Sequence, residues 1–348
     1  MEEKFESLIS IIILNYNGGE IILECLESVF HSNYSKFEVI IIDNGSTDNS
    51  QKICKEKYPG IILIENNKNL GLGARNIGID KSKGEFIVLL DSDTVVEKNW
   101  LKNFLISYNK HGDGLYQPKF LEKERPDIIS SAGNMINIFG LSYSIGRGIK
   151  DENQFDDFRK VNYAPGACTF TKLKRIKEIG EIDNIFFAYH DDLDYGWRGL
   201  LLNIPSYYEP NSIVYHYGSP NLKWSSKKFF LLERNRWICL LTLYSTRTFL
   251  KILPSLILLE IGMTSFFILK GMLLAKILAF FSLIKLARSI SKRKKRLQMK
   301  RKILDNEIID SFVIDFHLQT DKIENIENTT IQNIVVKLSK FTKDILNY

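Results

Sequence analysis

Four short apolar runs open the chain: LISIIIL (8–14), FEVIII (37–42), IILI (61–64) and EFIVLL (85–90). They are rich in Ile and Val and do not alternate with polar residues, the pattern of strands buried on both faces of a parallel sheet. Between them the apolar positions change to helical period. In EIILECLESVFHS (20–32), Ile22, Cys25, Leu26 and Val29 recur at three and four residues. DNSQKICKEKY and LGARNIGIDKSK are shorter but compatible. Strand and helix in alternation predict right-handed βαβ units and a doubly wound α/β sheet. The strands end at Asn15, Asp43, Asn67 and Asp91, which are 28, 24 and 24 residues apart, one βα unit each. Ligands of open α/β sheets sit outside the carboxyl ends of the strands, so four polar ends in succession predict a binding crevice there.

The pattern changes further along. Residues 122–165 are polar and glycine-bearing and read as loops or an inserted excursion. A second ordered block covers 166–219. Residues 249–284 are strongly apolar, and a polar tail follows from 303. In that tail, Ile331, Ile334, Val335, Leu338, Thr342 and Ile345 fit one face of an amphipathic helix. Within the apolar block, Ile252–Leu269 is interrupted by Pro254 and Glu260, and Gly271 follows. On a continuous helix Glu260, Lys270, Lys285 and Arg288 share a sector that excludes Lys276. This predicts in-plane or re-entrant amphipathic helices, with a single spanning helix and a buried helical pair as the alternatives.

Charge sharpens the picture. The chain of 348 residues is 45% hydrophobic and 25% charged, ordinary for a globular protein, and its net charge is +6. Residues 285–303 alone hold ten Lys and Arg and no acid, so the remainder is mildly acidic. A local basic run of this kind suits anionic lipid headgroups or nucleic acid. The four cysteines, Cys25, Cys54, Cys168 and Cys239, form no CxxC pair and are expected as buried thiols of a cytosolic protein. The acidic opening MEEKFE and the short run after it predict no secretory leader.

Candidate chemistry lies at the strand ends. Asp91-Ser92-Asp93 closes the fourth run; alternation along a strand points both carboxylates one way, which suits Mg2+ or Mn2+, although Asp and Ser are also turn residues. No GxGxxG follows the first run and no GxxxxGK[ST] occurs, so a nucleotide here is not cradled by glycine amides. Its phosphates would fall to a metal and to Arg75, with Asn76 beside it at a helix start. Asp43 can accept from a base or ribose, or can cap the NGSTD turn. A second acid cluster, Asp191, Asp192 and Asp194 after His190, opens a helical segment. It can serve the helix dipole or supply a general base. His216, in VYHYGS, is a packed histidine or a third metal ligand.

Taken in order, IIILNYNGG, EVIIIDNGSTDNS, NLGLGARNIGIDKSKGEFIVLLDSDT, GACTFTKLKRIKEIGEIDNIFFAYHDDLDYGWR and IVYHYGS resemble the motifs of family-2 inverting glycosyltransferases of the GT-A fold. They are most similar to the rhamnosyltransferase-like branch, and the resemblance covers about residues 8–240. It implies a Rossmann-like, mostly parallel sheet flanked by helices. Asn15, Tyr16, Asn17 and Asp43 would hold the base and ribose of a nucleoside-diphosphate sugar. Arg75 and Asn76 would sit by ribose and diphosphate, with Asp91 and Ser92 on the donor. Asp93, Asp91 and His216 would bind Mg2+ or Mn2+. Asp192 would be the base, with Asp191 standing where the family usually has Glu, which leaves the choice between the two open. The acceptor would be a glycan, lipid-linked at the cytoplasmic face of the cell membrane, with anionic lipids rather than nucleic acid against the basic run.

The implied domains are 1–240 (1–121 for the nucleotide sugar, 122–240 for acceptor and catalysis), then apolar membrane-associated helices over 241–290. Residues 291–348 would form the basic stretch and polar tail. Two rival readings are a nucleotidyltransferase, against which NYNGGE offers no basic residue, and a non-catalytic scaffold on the same fold.

Overall fold

A computed structural model describes residues 6–218, 225–269, 271–314 and 329–346. The chain forms two compact units. The first comprises Met1–Asn134, Ser144–Gly196 and Ile204–Pro220; the second comprises Met135–Tyr143, Trp197–Asn203 and Asn221–Tyr348.

The first unit begins with alternating elements: β1 (Ile9–Asn15), α1 (Ile21–Phe30), β2 (Phe37–Asp43), α2 (Ser50–Lys57), β3 (Ile62–Glu65), α3 (Arg75–Lys81) and β4 (Phe86–Asp91). Then come β5 (Thr94–Val96), α4 (Trp100–His111) and β6 (Leu115–Glu122). The stretch read as loops contains four strands of three residues: β7 (Ile129–Ser131), β8 (Asn134–Ile136), β9 (Ser142–Ser144) and β10 (Arg159–Val161). After them come β11 (Cys168–Lys172), α5 (Leu173–Ile179), α6 (Asp191–Leu201) and β12 (Ser206–His216).

The sheet order is β10-β12-β6-β11-β4-β1-β2-β3. The β3–β2–β1–β4 half is parallel, as the unbroken apolar runs predict, while β11 inserts antiparallel to β4, so the sheet is mixed. Ile9, Ile11, Ile12 and Ile13 of β1 are fully buried, each contributing about 2 kcal/mol. Phe86, Phe170 and Phe104 stack in sequence at 5.0 Å, locking β4, β11 and α4 together. This parallel register aligns Asn15 with Asp43 and Leu14 with Asp91, so the polar strand ends form one edge.

The second unit takes most of β8 and β9 and the end of α6, and is otherwise helical: α7 (Ser226–Leu243), α8 (Thr246–Leu269), α9 (Leu273–Lys300), α10 (Asp305–Asp310) and α11 (Thr329–Leu346). Trp197 packs edge-on against Tyr244 and Phe312, at 4.8 and 4.9 Å. The Tyr244 hydroxyl donates to the Ile138 carbonyl. The assumption of one continuous helix through the apolar block is corrected here. Gly271 adopts a φ of +66°, and the Met272 N–H returns to the Phe267 carbonyl at 2.7 Å, so α8 and α9 form a hairpin. Glu260 therefore does not side with Lys285 and Arg288. It pairs with Arg236 and, at 2.6 Å, with Lys276, while Glu233 pairs with the same two cations at 3.0 and 2.7 Å. Two acids and two bases close a ring that neutralises the charges inside an apolar bundle. Lys270 lies outside the described residues. In α11, Val335 and Thr342 are buried and Ile334 is exposed.

Candidate active site

The polar edge of the sheet is built from short local signals. β1 ends at Asn15, whose amide nitrogen donates to Asp43 Oδ1 at 2.9 Å, to Ser46 and to Ser50, leaving its Oδ1 buried without a partner. Asp43, 2% exposed, also accepts from the Ser46 N–H, so it holds both the β2 turn and Asn15. Asn17 turns through a positive φ and accepts from the Thr47 N–H at 2.8 Å, while Tyr16 projects into solvent. These four residues form one corner of the candidate site.

A second corner contains the acids. β4 delivers Asp91, a turn carries Ser92 and Asp93, and β5 leaves antiparallel to the end of β12 with Thr94 opposite His216. His216 Nε2 thereby comes to 3.3 Å from Asp93 Oδ1. Asp91, Asp93 and His216 can each offer one ligand atom, all within 4.8 Å of one another. His216 Nε2 is buried without a properly angled hydrogen bond. Two hard carboxylates with a third nitrogen donor that the protein leaves unsatisfied fit Mn2+ or Mg2+. Burial alone would raise Asp93, but His216 beside it holds the carboxyl below its usual range. Burial alone would lower His216, and Asp93 outweighs it, raising the imidazole.

Arg75, 1% exposed, joins this corner to the next. It is ion-paired with Asp91, and its other terminal nitrogen lies 3.9 Å from Asp191. Sequence reasoning offered its fork to a phosphate; the structure gives the fork two carboxylates. A side chain on Gly166 would stand 3.0 Å from this guanidinium, so that glycine keeps the space open. Asp191 and Asp192 begin α6. Asp192 accepts from the Leu193 N–H at 2.8 Å and the Gly166 N–H at 3.4 Å. Burial pushes Asp191 up to about 8, with Asp192 adding to the rise. Burial also raises Asp192, against its backbone hydrogen bonds. Each carboxyl is raised, and the charge on Asp192 disfavours a second charge on Asp191. Burial, opposed by Arg75 and reinforced by Asp93, raises Asp91 as well.

Asn76 does not join the group. Its amide donates to the Ile182 carbonyl and accepts from the Ile182 N–H, both at 2.9 Å, tying α3 to the segment before α6. Two contributors escaped sequence reasoning. Asn44 donates to the Asn69 side chain and the Gly71 carbonyl and accepts from the Leu70 N–H, shaping the loop before Arg75. Gly71 is the other: its φ is +74°, and any side chain there would strike the Phe187 carbonyl. The GLG run of LGLGAR was the available signal for it.

Comparison with known proteins fixes the family. The model of Glycosyl transferase family 2 matches residues 10–180. The UDP-Glc:alpha-D-GlcNAc-diphosphoundecaprenol beta-1,3-glucosyltransferase WfaP of Escherichia coli is 31% identical over 199 residues, 56% of this chain and 70% of that protein. The chain belongs to glycosyl transferase family 2. Glycosyltransferase GlyG of Streptococcus pneumoniae is 37% identical over 99 residues, 27% of this chain and 33% of GlyG, so the chain matches only about a third of that relative's length. Its fold is GT-A: a crystal structure of GalNAc-T7 with UDP, GalNAc and Mn2+ superposes with a TM-score of 0.57 at 17% identity, covering 72% of this chain and 51% of that one.

Proposed function

We propose that this glycosyltransferase moves a sugar from a nucleoside-diphosphate donor to a hydroxyl of a lipid-linked glycan, in one inverting displacement. The observation that carries the reading is the convergence of Asp91, Asp93 and His216 beside the Asp191–Asp192 pair. WfaP, whose name states a diphosphoundecaprenol-linked acceptor, supports the acceptor class. Residues 1–121 would hold the donor and 122–240 the acceptor, with Asn15, Tyr16, Asn17 and Asp43 at the nucleoside end.

Asp91, Asp93 and His216 would hold Mg2+ or Mn2+. A divalent cation there supplies charge to offset the departing nucleoside diphosphate. Arg75 fixes Asp91 and Asp191 in place and adds positive charge to the same wall. Burial pushes Asp191 up to about 8, so its carboxyl would keep its proton near neutral pH. Asp192 Oδ, oriented by the two N–H groups it accepts, would take the proton of the acceptor hydroxyl. No side-chain nucleophile is needed for a single displacement.

The enzyme would work at the cytoplasmic face of the membrane. Thr246–Leu269 is long and apolar enough to cross a bilayer, and the basic run suits anionic headgroups. Calorimetric titration of UDP, dTDP and GDP, each with and without Mn2+, on wild type and Asp93→Ala tests the proposal. One nucleotide should bind only with Mn2+ and lose that binding in the variant. If no nucleotide shows metal dependence, the reading fails.

A further inference from the structure

The outer surface of the α8–α9 hairpin is apolar to a degree that a solvated helix pair is not. On α8, Leu250, Ile257, Leu258, Ile261 and Leu269 are all more than half exposed. On α9 the exposed stripe divides in an unusual way. Leu274, Ile277, Leu278, Phe281 and Ile284 occupy an arc of about 120° at 3.6 residues per turn. Lys285, Arg288, Lys292 and Lys295 continue along that same arc and are also exposed. The inward side is held by Ala275, Ala279, Leu283, Ile290 and Leu297, so this stripe faces away from the bundle. No acid occurs between Leu273 and Lys300.

A helix lying flat in a membrane interface separates apolar from charged residues around its circumference. Here they share one stripe and separate along its length. That arrangement fits an axis tilted to the surface, with the Gly271 turn in the acyl region and the stripe reaching headgroups at Lys285. From Leu274 to Ile284 the axis rises about 15 Å, half of a hydrocarbon core of about 30 Å. Two features bound the depth. Ser226 bonds Met272 at 3.6 Å, so the polar start of α7 stays beside the turn and limits how far it can sink. The Glu233–Arg236–Glu260–Lys276 ring also enters with its charges already paired. We infer that the α8–α9 hairpin is an oblique wedge that dips turn-first into one leaflet of an anionic bilayer without crossing it, with the second half of α9 lying on the lipid phosphates. This rests on the membrane-surface part of the proposal above and adds geometry to it.

The test uses the full chain with an environment-sensitive label at Ile277→Cys, Ile284→Cys or Lys292→Cys. The native cysteines are buried, so the new thiol is the reactive one. Quenching by bromine-tagged acyl chains in phosphatidylcholine–phosphatidylglycerol vesicles should be strongest at 277, weaker at 284 and absent at 292. Changing Lys292 and Lys295 to Gln should weaken binding to these vesicles about 30-fold, and leave binding to pure phosphatidylcholine unchanged. Equal quenching at 277 and 284 would overturn the tilt. Quenching nowhere, with concentration-dependent dimerisation, would assign the face to a second copy. Labelling of Met272→Cys by an impermeant reagent trapped in the vesicle lumen would mean the hairpin crosses. Nucleotide binding by the same proteins in detergent is read separately. A lost depth gradient with binding retained overturns the wedge alone, and lost binding with the gradient retained overturns the glycosyltransferase mechanism alone.

Discussion

His216 Nε2 stands 3.3 Å from Asp93 Oδ1, and each side chain shifts the titration of the other. The imidazole is raised, so without a cation it holds a proton to higher pH than an ordinary histidine. A protonated ring cannot ligate a metal, so Mn2+ affinity should rise with pH and level off above that raised value. His216→Gln should flatten this dependence and weaken Mn2+ binding by about 10–100-fold. Titrations in buffers of different ionisation heat will count the proton released. An unchanged pH slope in the variant would remove His216 from the site.

The acid pair makes a separable kinetic prediction. Asp192→Asn should lower turnover by about 10²–10⁴-fold while nucleotide affinity with Mn2+ stays within a factor of about two. Asp191→Asn should cost much less turnover. Steady-state rates paired with calorimetry decide between the two, and the reverse order would assign the base to Asp191.

Asp191 also predicts a stability profile. Its carboxyl is raised to about 8 in the folded protein, so the folded state keeps a proton that the unfolded chain releases near pH ~4. That contribution is full below the unfolded value and is lost as pH rises through about 8. Asp191→Asn, which needs no proton, should gain Tm relative to wild type as pH goes from ~5 to ~9. Scanning calorimetry at several pH values will show a growing gap, and a constant gap would refute the assignment.

Asn76 offers a control for the sequence reading. Both of its bonds go to the backbone of Ile182. Asn76→Ala should therefore cost about 1–3 kcal/mol in urea unfolding and leave nucleotide affinity unchanged. A loss of affinity at full stability would return Asn76 to the donor site.

In the helical unit, Lys276→Met leaves Glu233 and Glu260 to share Arg236, and should cost about 3–5 kcal/mol. Adding Glu260→Met restores one acid to one base and should recover most of that loss. Urea midpoints of the single and double variants measure the coupling; additive costs would mean the ring does not act as a unit.

Much of the fold was legible because β1 to β4 are unbroken apolar runs, a signal that survives without knowledge of their partners. β5 and β7 to β10 were not, since a strand of three residues carries no period. The hairpin at Gly271 was hidden by composition: apolar residues run through the turn, and only the left-handed φ of that glycine marks it. At the site, strand-end positions announced Asn15, Asp43 and Asp91. The pairing of Arg75 with Asp91 and Asp191 was out of reach, because it depends on where β4, α3 and α6 meet in space. Asn76 was grouped with Arg75 by its position at the helix start, and its bonds to the Ile182 backbone are visible only in the fold.

His216 is positioned by ladder register. β12 runs parallel to β6 for most of its length and meets β5 at its last three residues. The acids of α6 follow a segment in which Phe187, Tyr189 and His190 all have positive φ, a backbone held by its surroundings more than by its own preference. The two parts of the candidate site thus rest on different foundations. His216 therefore depends on the pairing of neighbouring strands, whereas the acids of α6 depend on a strained segment that only its tertiary surroundings can hold.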